Sequence, residues 1–178
     1  MNTKWRFLLA LVIAVGISAC KTTEPVTESV AEPETAPAPV VEEATTMAAP
    51  DARDYTDARN FDNSESLLSK RVIYFDFDKS EVKSEYRAIV AAHAAYVAAH
   101  RSARVTLEGH ADERGTREYN LGLGERRGNA ISGLLSAAGA MGSQLDTVSY
   151  GEERPVCRVS DENCWWQNRR VEIVYTAR

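Results

Sequence analysis

Apolar residues recur at helical spacing in two stretches of this chain and at strand spacing in four others. From Ser84, the segment SEYRAIVAAHAAYVAAH sets Tyr86, Ile89, Val90, His93, Tyr96, Val97 and His100 along one face, which predicts a helix. A second helix is predicted from Thr116, a good N-cap residue, to about Ala138, with Leu123, Ala130, Ile131, Leu134 and Ala138 on its apolar face. Arg71 to Asp76 reads RVIYFD, a short run of β-formers consistent with a buried strand. Arg104 to Gly109 and Asp146 to Gly151 are two further strands, and from Arg170 to Thr176 the residues Val171, Ile173 and Tyr175 alternate with Glu172, Val174 and Thr176. Strands and helices alternate along the chain, so the expected fold class is α/β (α+β), one mixed sheet with helices packed on it.

Arg127 falls on the apolar face of the second helix, four residues after Leu123 and four before Ile131. Its guanidinium is therefore directed into the domain, whereas Arg126 is turned about 100° away. An inward charge needs a partner, and Asp112 is the nearest candidate in sequence, in the loop between the second strand and this helix. An exposed carboxylate and an inward guanidinium at one strand-to-helix corner form a dipolar slot that suits an amino-acid head group, with its ammonium and its carboxylate. A structural ion pair is the competing reading of the same two residues. His93 and His100 are expected to be packed or at the rim, since no third metal-binding side chain shares their spacing.

The front of the chain has a different character. Lys4 and Arg6 precede the apolar run FLLALVIAVGI, Phe7 to Ile17, which is too short to span a bilayer but matches the core of a signal peptide. It ends in Ile17-Ser18-Ala19-Cys20, small residues before a single cysteine that resemble a lipoprotein box. Residues 1–19 are accordingly expected to be a lipoprotein signal peptide and Cys20 the lipidated amino terminus. Several acyl chains are enough for stable anchoring. Lys21 follows where an inner-membrane retention signal would have Asp, which points to the outer membrane. Residues 20–66 are read as a lipid-anchored tether rich in Pro, Ala and Glu, with no helical or strand period; about 45 such residues span roughly 35 to 40 Å as a coil and up to about 150 Å drawn out. Residues 67–178 are left as the folded domain.

Losing residues 1–19 takes two of the 21 basic residues and none of the 26 acidic ones, so the net charge goes from −5 to −7. Nucleic-acid binding leaves a basic footprint, and the acidic balance speaks against it. Cys157 and Cys164 remain once Cys20 is used, and in an exported protein a short-loop disulfide is expected there in preference to a metal site.

GHADERGT followed by EYNLGLGERR, over about 20 residues from Gly109, resembles the signature of the OmpA-like peptidoglycan-binding domain family, and within it the peptidoglycan-associated lipoproteins. With weaker matches at YFDFDKS and NRRVEI the resemblance covers about Val72 to Tyr175. It implies a β/α/β/α/β2 sandwich. It also implies that Asp112 and Arg127 hold the ammonium and carboxylate of meso-diaminopimelate in the peptidoglycan stem peptide, with contacts from Phe77, Asp78, Thr116, Tyr119, Asn120 and Leu123. It further implies a TolB-like periplasmic partner of the Tol system, an outer-membrane lipoprotein whose domain faces the periplasm, no cofactor and no enzymatic activity. Gly128 departs from the family, which usually has Ala there. With Gly122 and Gly124 it makes the helix glycine-rich, at up to about 1 kcal/mol for each interior glycine. Two other readings stand beside this one. VIYFDFDKS resembles the first motif of haloacid-dehalogenase-type phosphatases, with Asp76 as nucleophile and Asp78 as general acid. A structural docking lipoprotein with no wall binding is the other.

Overall fold

The structure is a computed structural model and describes residues 51–178, which belong to one compact unit. The expected signal peptide, the lipidation at Cys20 and most of the tether lie outside the described residues. Four strands form one mixed sheet: β1 (Val72–Tyr74), β2 (Arg104–His110), β3 (Leu145–Gly151) and β4 (Arg170–Ala177), in the order β1-β4-β2-β3. β4 runs antiparallel to both β1 and β2, while β2 and β3 are parallel. Between β2 and β3 the chain makes α2 (Arg117–Ala137), and before β2 it makes α1 (Arg87–Ala99). The α/β class and the mixed sheet expected from the pattern are what the chain forms.

Alternation decides which face is covered. Val105 and Leu107 of β2 and Val171 and Ile173 of β4 are buried and meet in register, Leu107 opposite Ile173 and Ile73 opposite Val171. They form the core with Val90, Tyr96 and Val97 of α1 and Ile131 and Leu135 of α2. α2 lies over β2 and β3, and its glycines explain how closely. A β-carbon on Gly109 would run into the Gly124 carbonyl, one on Gly124 into Ser149, and one on Gly128 into the Thr147 methyl. The glycines that weaken the helix intrinsically let it settle on the sheet.

Four expectations need correction. The domain does not begin at residue 67: Phe61 is buried in the core with Tyr55 packed against it, and Asn60 donates to the carbonyls of Asp51 and Asp54. This segment is built of single 3-10 turns capped by Asp57 and Ser66, which carry no hydrophobic period to read. Ala138 is exposed as the C-cap of α2, and Leu135 is buried instead. The first helix opens with a 3-10 turn over Ser84–Tyr86 before α1 proper. A short helix, α3 (Glu162–Asn168), was not expected; it begins at Asp161, whose side chain accepts from the Cys164 amide. His93 and His100 are packed as expected, His93 between Lys70 and Tyr175 and His100 stacked on Tyr96.

Candidate functional site

Thr116 caps α2 by accepting from the Tyr119 amide, which places the first turn of the helix directly above the end of β2. Almost three turns into α2, Arg127 is fully buried, and its guanidinium is held by main-chain oxygens alone: Nε donates to Lys79 at 2.8 Å, Nη1 to His110 at 2.7 Å and Nη2 to Asp76 at 3.1 Å. The plane lies over the Phe75 ring at 5.3 Å. Among the described residues no carboxylate lies within 4.0 Å of it. Burial pulls its pKa down to about 10, against the opposing pull of the Asp112 charge. A guanidinium has five N–H donors, so with three of them bonded here two remain.

Asp112 differs from its expectation in two ways. It is 4 % exposed, not an open carboxylate, and it is not paired with Arg127. Oδ1 accepts from the Arg114 amide at 3.1 Å and from Arg114 Nε at 3.3 Å; Oδ2 accepts from Arg114 Nη2 at 2.6 Å and Arg169 Nη1 at 3.2 Å. Burial pushes its carboxyl up, but the bonds from Arg114 and Arg169 outweigh that and hold it below the usual range. The reason sequence reasoning missed these partners is distance along the chain: Arg169 lies at the end of α3, far beyond the motif. The signal available for Arg114 was its place in the DERGT turn.

The two charges nevertheless border one cavity of about 170 Å³, together with Phe77, Asp78, Arg114, Gly115, Tyr119 and Leu123. Phe77 is 55 % exposed and Tyr119 46 % exposed, so two aromatic faces stand at its mouth. Tyr119 donates its hydroxyl to Asp78, a residue held at a φ of 56°, in the left-handed region that only a few non-glycine residues occupy. Of the eight expected contact residues, six line this cavity. Thr116 and Asn120 do not; Asn120 is buried and donates to the Asp112 carbonyl, tying the loop to the helix. Asp76, the nucleophile of the phosphatase reading, is bound to Lys83 at 2.9 Å and gives its carbonyl to Arg127.

Cys157 and Cys164 form a disulfide, as expected for an exported protein. It fastens the loop after β3 to α3, and Asn168 holds the same loop through bonds to the Val156 and Cys157 amides and the Cys157 carbonyl. α3 thereby keeps Arg169 against Asp112 and Trp165 against Arg114.

A model described as the OmpA family matches residues 74–168, more than half of the chain. The chain belongs to the OmpA family. Among OmpA-family relatives it is 48 % identical to the peptidoglycan-associated lipoprotein of Haemophilus influenzae over 103 residues, 58 % of this chain and 67 % of that protein. It is 51 % identical to the one of Pseudomonas putida over 108 residues, 61 % of this chain and 64 % of that protein. The crystal structure of the peptidoglycan-associated lipoprotein from Burkholderia pseudomallei superposes with a TM-score of 0.63 at 43 % identity, over 65 % of this chain and 98 % of that one. These relatives bear the names of lipoproteins.

Proposed function

We propose that this protein is an outer-membrane lipoprotein that holds the cell wall without a covalent bond, by gripping the free end of diaminopimelate in the peptidoglycan stem. The observation that carries the reading is Arg127: a fully buried guanidinium that faces a cavity and has no carboxylate partner among the described residues. A cation so buried is costly unless its remaining donors are met. Two parallel N–H groups are the arrangement that takes a ligand carboxylate bidentately.

The ligand's ammonium is received on the other side of the cavity by Asp112. Its four bonds are unequal, and the longest, from Arg114 Nε at 3.3 Å, is the one an ammonium shares or replaces. Asp78 offers a second acceptor, Phe77, Tyr119 and Leu123 enclose the aliphatic chain, and Thr116 and Asn120 hold the helix start and the loop in place. The names of the relatives, peptidoglycan-associated lipoproteins, agree with a wall ligand. Anchoring through Cys20, a periplasmic position for the domain and a TolB-like partner of the Tol system complete the reading, on the resemblance of the motifs.

Hydrogen bonds to charged groups are worth about 1.5 to 3 kcal/mol each, so Asp112→Ala or Arg127→Ala should weaken binding to purified sacculi by roughly ten- to over a hundredfold. Arg127→Lys keeps a charge without the fork and should recover only part. Asp112 also steadies Arg114 and Arg169, so melting temperature is measured beside affinity, with diaminopimelate and its amide as competitors. Folded variants that hold sacculi as well as the wild type, or an amide that competes as well as the acid, would defeat the proposal.

A further inference from the structure

The cavity has a second cation, Arg114, and the grip just described uses only the edge that it turns to Asp112. Arg114 is fixed more firmly than a half-exposed side chain usually is: its guanidinium lies 4.0 Å from the Phe77 ring centroid and 4.2 Å from that of Trp165, and two of its nitrogens bond Asp112. Nη2 also stands 3.6 Å from Glu162. Its Nη1 has no hydrogen-bond partner among the described residues, and the side chain is 30 % exposed on the wall of the cavity. Nε and Nη2 are the edge turned to Asp112, so Nη1 is the edge left for something else. A cation held between two rings loses little freedom on binding, so a bond to it is gained at small entropic cost.

We propose that Arg114 is a specificity residue that takes a second carboxylate, the one at the far end of the same amino acid whose head Arg127 and Asp112 hold. The inference rests on the reading of the site as an amino-acid grip. A ligand with a carboxylate at both ends then bridges the two guanidiniums that border the cavity, and one with a neutral far end forgoes the second bond. In the wall, this favours stems that end at diaminopimelate, where that carboxylate is free, over longer stems in which it is an amide.

The test uses 2-aminopimelate, which has the head group and a distal carboxylate, and 2-aminoheptanoate, which has the same head group and a methyl end. Each is titrated against the intact protein and against Arg114→Gln, with tripeptide and tetrapeptide muropeptides as a second pair. The wild type should bind 2-aminopimelate at least about fivefold more tightly, the scale of one partly solvated charge-assisted bond. Arg114→Gln should lose that preference and bind the two ligands equally, so the ratio between them is the readout and any loss of support to Asp112, which falls on both alike, cancels. The tripeptide should lose its advantage over the tetrapeptide in the same variant. Trp165→Leu, which removes one ring from the stack, should reduce the preference in the same direction and serves if Arg114→Gln does not fold. Equal binding of the two ligands by the wild type overturns the proposal. So does a variant that weakens both ligands alike, which would make Arg114 only a support for Asp112. If neither ligand binds the wild type, the head-group reading falls first and takes this inference with it.

Discussion

His93 sits between a carbonyl and a hydroxyl, and that fixes where its proton is. The Lys70 oxygen can only accept, so Nε2 carries the hydrogen at 3.0 Å, and Nδ1 accepts from the Tyr175 hydroxyl at 2.9 Å. Burial lowers its pKa from 6.5 to about 4, and His110, buried beside Arg170, is lowered to about 4 as well. A group whose pKa is depressed in the folded state stays neutral there while the unfolded chain takes up protons. Stability is therefore full above about pH 6.5 and falls as the pH drops toward 4. Each histidine contributes a slope of roughly 1.4 kcal/mol per pH unit inside that window. Denaturant unfolding of the wild type and His93→Gln at a series of pH values should show a shallower decline in the variant; parallel curves would contradict the assignment. At this scale the sequence was readable where a period applied. The inward direction of Arg127 follows from its spacing to Leu123 and Ile131, but the state of Asp112 does not, because Arg169 reaches it from another element. The Phe77 and Trp165 rings that hold Arg114 likewise come from two distant segments.

Among the elements, α2 shows how a helix can be made of poor helix formers. Gly124 faces Ser149 and the Gly109 backbone, whereas Gly133 has open space where a β-carbon would go. The same substitution should then have opposite signs. Gly124→Ala meets main chain that cannot move aside and should cost about 2 kcal/mol or more, as overpacking does. Gly133→Ala gains helix propensity and should stabilise by roughly 0.5 to 1 kcal/mol. Equilibrium unfolding of both variants checks this, and a stabilised Gly124→Ala would show that the helix does not rest on the sheet as described. The helix and its cap were legible because period and N-cap agree at Thr116. α3 was not, since seven residues are too few to display a period. The purpose of the glycines was hidden as well, because a close approach depends on a strand that the sequence does not bring near.

For the whole molecule, the proposed function divides the work between the folded unit and a lipid on Cys20. On that proposal, a domain that holds the wall needs reach from its anchor, and the Pro- and Glu-rich composition after Cys20 suits such a tether. Cys20→Ala should yield protein that carries no acyl chain and leaves the membrane fraction, while binding sacculi unchanged. Palmitate labelling and fractionation measure this, and membrane retention without labelling would sink the anchor. The architecture as a whole was legible because strands and helices alternate in period, whereas the true start of the domain was not, because Phe61 enters the core from a turn.

β4, the last strand in chain order, lies between β1 and β2. Until it arrives, β1 has no neighbour at all, and β2 and β3 make only a two-stranded fragment. Such a fragment is marginal on its own. The sheet therefore cannot close until β4 has been made, and most of the interior remains open until then. A polypeptide in that condition is open enough to be threaded through a narrow channel, and its sheet locks only after β4 has slotted into the middle.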